Sequence, residues 1–304
     1  MCGLFGFLHY GNNEIKNLKN ITGALSVEAA QRGTDATGVA FNDGGKINIM
    51  KVGRAAYDIK LKHDDKVKTL IGHTRHSTQG SEKKNFNNHP FCGKCRNLRF
   101  ALAHNGVIAN DSELRKKYNL PKTKIETDSF IAVQLLEHMK TLDENSIKFM
   151  AEALKGSFSF SILDSSDTLW LVKGDSPVHI LHFPDISLYV YASTEEILWK
   201  ALVDTNLFEY LKDGKYEKVK IHGGDILKIT ADGTVSTFKF EYDEFDGCYF
   251  RNWWQYGSII GGEDSYIDDL KAVAAYEGIN PTEVDMLLED GFTPAEIEDY
   301  IYCM

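Results

Sequence analysis

The chain has 304 residues, of which 43% are hydrophobic and 26% are charged, an ordinary composition for a globular protein. It contains no run of about 18 apolar residues, and its first residues lack a basic stretch followed by an apolar core, so we expect neither a membrane span nor a secretory signal. The net charge of −10 is concentrated after position 241, where fifteen acidic residues accompany two basic ones. This distribution argues against binding of nucleic acid by this acidic region, and the expected lack of a signal and of a membrane span favours a cytoplasmic protein.

Short apolar or alternating segments bounded by Gly, Asn or Asp predict β-strands along most of the chain. The predicted strands are Gly3–Leu8, Gly38–Phe41, Lys46–Val52, Thr69–Thr74, Leu98–His104, Phe158–Asp164, Leu169–Lys173, Leu188–Ala192, Asp225–Ile229 and Val235–Phe240. Helical periodicity predicts helices at Ile21–Gln31, Asp128–Thr141, Ile147–Leu154 and Thr194–Lys200. Runs of strands interrupted by grouped helices indicate an α+β fold with largely antiparallel sheets.

The chain is predicted to divide after its last strand pair, near Glu241. Residues 1–241 would form the main domain, residues 242–262 an aromatic linker, and residues 263–304 a small acidic unit of three helices. Two of these helices are indicated by an Asn or Thr, then Pro, then Glu at the third helical position, at Asn280 and at Thr293.

Five cysteines form an odd and sparse set that does not indicate a disulfide framework. Cys92 and Cys95 form a CxxC pair, but the chain has no second pair to complete a zinc site. A tight turn between two strands is the favoured interpretation of this pair, and a metal completed by His89 is the alternative. We expect neither a metal nor a cofactor.

Cys2 directly follows the initiator methionine. Removal of Met1 would leave a thiol and a free α-amine on one residue, and that amine has a reference pKa of about 7.7 to 8.0. Nucleophile and base would then be combined, which is the arrangement needed to attack a carbonyl carbon. The alternative is that Cys2 is a small buried hydrophobic residue. Position alone leaves both interpretations open.

Four further segments occur in a particular order after Met-Cys-Gly. They are Arg32-Gly33-Thr34-Asp35, Gly72-His73-Thr74-Arg75-His76-Ser77-Thr78-Gln79-Gly80, His104-Asn105-Gly106 and Glu126-Thr127-Asp128-Ser129, with Asn88-His89-Pro90 between the second and the third. The ordered set resembles the class II glutamine amidotransferases, which are N-terminal-nucleophile hydrolases, over about residues 2 to 241. The resemblance implies a four-layer αββα sandwich and a stand-alone glutaminase-type domain.

The resemblance also implies a catalytic centre built on Cys2 as the nucleophile. Asn105 through its side-chain amide and Gly106 through its backbone N–H would form the oxyanion hole. Such donors stabilise the charge that develops on the attacked carbonyl oxygen. Arg32 and His89 would support the centre. The alternative for Asn105-Gly106 is a tight turn, because this dipeptide is a strong turn former.

Free glutamine carries an α-carboxylate and an α-amino group, and the resemblance assigns one residue to each. Arg75 would bind the carboxylate through its planar guanidinium, and Asp128 would bind the amine. Residues 75–80 would form a lid over the substrate, with Thr78 touching it. His76 and Phe130 depart from the commoner family pattern.

These residues predict an enzyme that hydrolyses L-glutamine through a Cys2 γ-glutamyl thioester and supplies ammonia to an acceptor held on another chain. The partner would be an acceptor-domain protein, and neither nucleic acid nor a membrane is expected. A hydrolase for a different γ-glutamyl amide is the first alternative. A non-catalytic binding or structural protein on the same fold is the second.

Overall fold

The computed structural model describes residues 2–12, 15, 17–96, 98–242, 271, 274, 279–289 and 297. The chain divides into two compact units, Met1–Glu244 and Phe245–Met304. The strands of the first unit are β1 Gly3–His9, β2 Ala36–Asp43, β3 Lys46–Val52, β4 Thr69–Arg75, β5 Phe91–Cys95, β6 Leu98–Ile108, β7 Gly156–Asp164, β8 Leu169–Lys173, β9 His179–Phe183, β10 Leu188–Ala192, β11 Glu217–Val219, β12 Asp225–Ile229 and β13 Val235–Lys239. Its helices are α1 Leu18–Ala29, α2 Asp111–Lys117, α3 Phe130–Met139, α4 Glu144–Ala153, α5 Glu195–Val203 and α6 Phe208–Lys212.

The strands form two antiparallel sheets. The seven-stranded sheet has the order β11-β9-β10-β1-β4-β2-β3, and the six-stranded sheet has the order β13-β12-β8-β7-β6-β5. In the first sheet β1 lies between β10 and β4, with Gly3 opposite Thr74, so the start of β1 lies beside the end of β4. This pairing places Cys2 close to Arg75.

Three apolar clusters define four layers. One cluster joins the seven-stranded sheet to α1 and α5, and includes Phe5 and Leu25. A second joins the six-stranded sheet to α3 and α4, and includes Leu102 and Ile131. The third cluster lies between the two sheets, where Leu4, Leu8, Ile71 and Leu171 meet. The αββα sandwich implied by the resemblance is therefore confirmed.

The predicted strands of the main domain all occur in the structure, with shifted ends. Strand β11 was not predicted because it is a three-residue edge strand with exposed Glu217 and Lys218, which give no apolar signal. Strand β9 was also missed, as were α2 and α6. In α2 the only buried apolar residue is Leu114, so the helix is stabilised by the contact of one side chain rather than by a periodic apolar face.

The turn predicted at the CxxC pair is wrong, and the alternative of a tight turn at Asn105-Gly106 does not hold either. Asn105 and Gly106 lie within β6, paired with Ser159 and Phe158, because the strand continues to Ile108. The CxxC pair is also in a strand rather than in a turn.

Cys92 and Cys95 belong to β5, in which residues alternate between the two faces. Cys92 is exposed, whereas Cys95 is buried with its Sγ 3.3 Å from the carbonyl oxygen of Leu136. The two thiols therefore point to opposite faces and cannot ligate one ion. Within the described part of the chain, no group of three or more His, Cys, Asp or Glu side chains is arranged to hold a metal.

In the second unit the structure describes helix α7, Pro281–Glu289. The side chain of Asn280 accepts a hydrogen bond from the Thr282 N–H at 3.1 Å, which confirms the predicted start of this helix. Ala274, Val284 and Ile297 form a small buried cluster. The predicted linker and the helix start at Thr293 lie outside the described residues. No helix in the described residues is long and apolar enough to cross a membrane.

Candidate active site

The alternation of side chains along three strands brings the predicted catalytic residues to the space between the sheets. Leu4 of β1 and Ile71 of β4 contribute to the cluster between the sheets. Cys2 precedes Leu4 by two residues, and Arg75 follows Ile71 by four. Because both numbers are even, each side chain lies on the same face as the cluster residue of its strand. In β6, Asn105 lies two residues after Ala103, which belongs to that cluster, so Asn105 also faces the space between the sheets. Cys2, Arg75 and Asn105 therefore line one end of the interface between the sheets.

A direct hydrogen bond holds β4 and β6 together at this end. The His73 Nε2–H donates to the carbonyl oxygen of His104 at 2.9 Å, and both residues are buried. Since His73 lies two residues before Arg75 and His104 lies one residue before Asn105, this bond sets the positions of the guanidinium and the amide relative to each other.

Cys2 is partly buried, with its Sγ 3.5 Å from the carbonyl oxygen of His76. Its own carbonyl oxygen accepts a hydrogen bond from Arg32 Nε at 2.8 Å, so Arg32 supports the backbone at Cys2. Burial raises the pKa of the Cys2 thiol, and the nearby charge of Asp128 raises it further, while Arg75 opposes this effect. The thiol is therefore protonated at neutral pH and requires a base to become a nucleophile.

Asn105 is 2% exposed, and its amide nitrogen has no hydrogen-bond partner in the described structure. An unpaired buried donor costs about 1 to 3 kcal/mol, so such groups are uncommon in folded proteins. The cost is removed when a substrate oxygen accepts the bond. This unpaired donor could therefore donate to a ligand oxygen.

The Gly106 N–H points to the same edge of β6 as the His104 carbonyl and the Ile108 N–H, both of which have hydrogen-bond partners. Phe158, its partner on β7, uses its own N–H and C=O with Asp175 and Gly174, so this pair exchanges no hydrogen bonds. Along the same edge of β6, the carbonyl of His104 receives His73, and the N–H of Ile108 donates to Asp128. The Gly106 N–H therefore points outward from this edge of β6. It lies between the His104 carbonyl, which bonds to His73 of β4, and the Ile108 N–H, which bonds to Asp128.

Only glycine fits at this position. The backbone of Gly106 has a φ of +134°, and an added Cβ would lie 2.0 Å from the carbonyl oxygen of Ser157.

Arg75 is 3% exposed, and much of its hydrogen-bonding capacity is already used. One terminal nitrogen donates to Asn88 Oδ1 at 2.7 Å, and the other donates to the carbonyl oxygens of Gln79 and Gly80, each at 2.6 Å. A guanidinium has five N–H groups, so these three bonds leave two. Arg75 therefore holds residues 79–80 in place while it keeps donors for an anion.

Asp128 lies immediately before α3, which begins at Phe130 rather than at the predicted Asp128. Its carboxylate does not cap the helix. Instead, Oδ2 accepts from the Ile108 N–H at 2.7 Å and Oδ1 accepts from the Ser129 hydroxyl at 3.2 Å. The Ser129 hydroxyl in turn lies 2.8 Å from His104 Nδ1. Asp128 is thus a buried anion in a defined position, at the end of β6.

His89 is buried between two other rings, 4.2 Å from His73 and 4.4 Å from Phe91 between ring centroids. Neither of its ring nitrogens has a hydrogen-bond partner in the described structure. Burial lowers the pKa of His89 well below its usual value, and the neighbouring His73 lowers it further. His89 is therefore neutral, and its ring packs against those of His73 and Phe91.

Thr78 is an exposed residue of the segment between β4 and β5, which we call the 76–88 loop. The start of this loop is held by the Ser77 N–H, which donates to Asp35 Oδ2 at 2.7 Å. Of the predicted site residues, the structure brings together Cys2, Arg32, Arg75, Asn105, Gly106 and Asp128. It leaves Thr78 at the surface of the loop.

Sequence reasoning missed Lys51, which lies beneath Arg75. Its Nζ donates to the carbonyl oxygens of Asn88, at 2.5 Å, and Pro90, at 3.2 Å. Burial lowers the pKa of Lys51 to about 8. No local signal marks this lysine, because its partners are about 40 residues away in the chain.

Comparison with known proteins gives the family. Residues 73–199 match the family described as a glutamine amidotransferase domain. Glutamine–fructose-6-phosphate aminotransferase (isomerizing) of Oceanobacillus iheyensis is 33% identical over 187 residues, and that of Streptococcus agalactiae is 35% identical over 190 residues. The chain contains a class II glutamine amidotransferase domain. Each of these matches covers 59% of this chain and 30% of the relative, so the chain spans less than a third of the length of these relatives.

Solved structures support the fold of the amidotransferase domain. The glutamine phosphoribosylpyrophosphate amidotransferase of B. subtilis superimposes with a TM-score of 0.62 and 22% identity, over 79% of this chain and 49% of that one. A structure described as the allosteric regulatory enzyme of purine biosynthesis gives 0.61 and 20% over the same shares. At this level of identity the likeness establishes the N-terminal-nucleophile sandwich.

Proposed function

We propose that this amidotransferase domain hydrolyses the side-chain amide of L-glutamine through a thioester on Cys2. The products would be glutamate and ammonia, and the ammonia would pass to an acceptor on another chain. The observation that carries the proposal is the unpaired, buried amide nitrogen of Asn105, at the same end of the interface as the Cys2 thiol. Such a donor is positioned for an oxygen that becomes negative during the reaction.

The first half of the reaction needs the α-amine of Cys2 to be free. The amine takes the S–H proton, and Sγ attacks the δ-carbon of glutamine. The carbonyl oxygen becomes an oxyanion, which accepts hydrogen bonds from Asn105 Nδ2 and the Gly106 N–H. When the carbon–nitrogen bond breaks, the ammonium returns its proton to the leaving nitrogen, which departs as ammonia.

The second half uses water as the nucleophile. The α-amine takes a proton from water as the oxygen attacks the thioester carbon. The same two donors stabilise the second oxyanion, and the carbon–sulfur bond then breaks. Sγ recovers the proton from the amine, and glutamate is released.

The substrate would be oriented by the two buried charges. The two N–H groups that Arg75 keeps free are proposed to bind the α-carboxylate. Asp128 is proposed to bind the α-ammonium group with the carboxylate lone pairs that Ile108 and Ser129 leave free. The opposite charges of the two residues match the opposite charges of a free amino acid.

The acceptor is proposed to lie on a separate protein. The fifteen acidic residues after position 241 would attract a basic surface of such a partner.

The test is release of glutamate and ammonia from glutamine by purified protein whose N-terminus has been verified by intact mass. We expect equal amounts of both products from the form that begins at Cys2. Cys2→Ala should lose activity by about 10⁴-fold or more, because no other group replaces the nucleophile. Cys92→Ala is the matched control, since it removes an exposed thiol of β5.

Two results would contradict the proposal. A Cys2→Ala protein that works at the wild-type rate would remove Cys2 from the mechanism. A protein that begins at Cys2 and hydrolyses another γ-glutamyl amide but not glutamine would support the first alternative instead.

A further inference from the structure

The 76–88 loop is held by two adjacent asparagines that are both completely buried. Asn88 donates from Nδ2 to the carbonyl oxygen of Glu82 at 2.8 Å and accepts from Arg75 at its Oδ1. Asn87 donates from Nδ2 to the carbonyl oxygen of Ser81 at 3.2 Å. Both residues therefore connect the end of the loop to its middle, at Ser81 and Glu82.

Asn87 differs from Asn88 because its side chain also bonds to Glu126, which lies 39 residues further along the chain. Its Nδ2 donates to Glu126 Oε2 at 2.8 Å, and its Oδ1 accepts from the Glu126 N–H at 3.0 Å. A side-chain amide is needed for this pair of bonds, because one end must donate while the other accepts. Lys84, also in the loop, forms an ion pair with the other oxygen of the same carboxylate.

Glu126 is close in the chain to the residue proposed to bind the substrate amine. Only Thr127 lies between Glu126 and Asp128, so the Cα atoms of these two residues are at most about 7 Å apart. Thr127, Asp128 and Ser129 are all buried, so this short segment has little room to move independently. Hydrogen bonds from Lys84 and Asn87 lower the pKa of Glu126, which keeps the carboxylate charged.

We infer that Asn87 is a positioning residue that couples the 76–88 loop to Asp128 through Glu126. When the loop is in place, Arg75 is held at one end and Asp128 at the other, so the sites for both charged groups of the substrate form together. This inference rests on the proposed function for its substrate, glutamine. The coupling itself is a property of the protein without substrate.

The test uses an exchange of hydrogen-bonding roles. Asn87→Asp places a carboxylate against the carboxylate of Glu126, so the bond becomes a repulsion. In the double variant with Glu126→Gln, the new amide can donate to the carboxylate introduced at position 87, and the bond is restored in the opposite direction. Asn85→Asp is the matched control, because it adds the same charge on the same turn at an exposed residue whose side chain bonds to Lys51 rather than to Glu126.

The first readout needs no substrate. Hydrogen exchange is measured at the 76–88 loop and at the Ile108 amide, which reports on Asp128 because it donates to its carboxylate. We expect both to exchange about tenfold faster in Asn87→Asp and about threefold more slowly than that in the double variant, because the bond to Ser81 is lost in both variants while the bond to position 126 is restored only in the second. Asn85→Asp should leave the Ile108 amide unchanged.

The second readout is the binding of glutamine to the same set of variants in a Cys2→Ala background, together with KM and kcat in the active form. Asn87→Asp should raise Kd and KM about tenfold, which corresponds to about 1.4 kcal/mol. Saturating glutamine should restore kcat to within about threefold, because Cys2 and Asn105 are unchanged. The double variant should recover part of the loss in both constants, since the bond to Ser81 stays missing.

Glu126→Ala keeps the test decisive if Asn87→Asp does not fold. Glu126 is exposed, and Glu126→Ala deletes the side-chain bonds to Asn87 and Lys84 but leaves the backbone bond to Asn87, so the expected increase in exchange is smaller, about threefold. We expect faster exchange at Ile108 in this variant also. An Ile108 amide that exchanges at the wild-type rate in Glu126→Ala, or a double variant no better than Asn87→Asp, would overturn the coupling. Wild-type protein that neither binds nor hydrolyses glutamine, but shows the expected exchange, would overturn only the proposed function.

Discussion

The space between the two sheets has an apolar half and a polar end, and one strand contributes to both. On the same face of β4, Ile71 is entirely buried in the apolar cluster, His73 follows, and Arg75 comes last. The apolar half is built mainly from Leu, Ile and Ala side chains that need no hydrogen bonds, although Tyr189 and Tyr191 also belong to it. The polar end contains buried donors and acceptors, some of which lack partners within the described residues.

This difference separates stability from chemistry along one strand. Burial of apolar groups in the first half stabilises the sandwich. At the polar end, burial raises the pKa of Cys2, lowers that of His73 and leaves the Asn105 amide nitrogen without a partner among the described residues. The unpaired amide nitrogen opposes folding at any pH, whereas the lowered pKa of His73 opposes folding only in acid, so the apolar half must compensate for the polar end. We therefore expect substitutions in the two regions to have separable effects.

The most severe loss of activity in this comparison is expected at Asn105. Asn105→Ala removes one donor of the proposed oxyanion hole, and such a loss reduces kcat by about 10² to 10³. The free energy of unfolding should change little or increase, because the amide nitrogen has no partner to lose within the described structure. Steady-state kinetics and urea unfolding of the same preparation measure both quantities.

Asn110→Ala is the matched control for this substitution. Asn110 is also buried, but its amide donates to Ala153 at 2.9 Å and accepts from Lys155 at 2.9 Å. We expect this variant to lose about 1 to 3 kcal/mol of stability while kcat is unchanged. If both variants lost stability and neither lost kcat, the contrast between the two regions would be refuted.

A loss of stability in acid is expected next in size. Burial lowers the pKa of His73 to about 3, and it also lowers the pKa values of His89 and His104. A histidine in the unfolded chain has a pKa of about 6.5, so below that pH the unfolded state binds more protons than the folded state. Each such histidine reduces the free energy of unfolding by about 1.4 kcal/mol per pH unit, in the window from about 6.5 down to its folded pKa.

Urea unfolding at pH 7.5 and pH 5.5 measures this loss. His73→Gln keeps a donor for the His104 carbonyl but cannot be protonated in the unfolded chain, so its loss between the two pH values should be smaller than that of the wild type. Equal losses in the two proteins would mean that His73 is charged in the folded protein.

The mildest change is expected in the apolar half. Ile71→Val removes one buried methylene group and should cost about 0.5 to 1.5 kcal/mol of unfolding free energy. Because Val keeps the branched shape, His73 and Arg75 should stay in place, and KM for glutamine should not change. A raised KM would show that packing in the apolar half also positions the site.

Much of the secondary structure follows from local pattern. β1, β4 and β7 were predicted because continuous or alternating apolar residues specify them without help from the rest of the chain. β11 and α2 could not be predicted, since each is stabilised by tertiary contacts rather than by its own apolar periodicity. The alternative of a turn at Asn105-Gly106 failed because of tertiary contacts too. Turn propensity is weaker than the pairing of β6 with β7.

The order of motifs along the chain was enough to identify the family, the layered α+β class and most of the residues that meet at the candidate site. Motif order and side-chain alternation can be read directly from the sequence, so they can be recognised without coordinates. The folded structure was needed to see that Arg75 uses three of its N–H groups on Asn88 and the loop, and that Asn87 joins the loop to Glu126. These bonds connect groups that the packing of the two sheets brings together. The distances between such groups in the folded protein cannot be read from the order of residues along the chain.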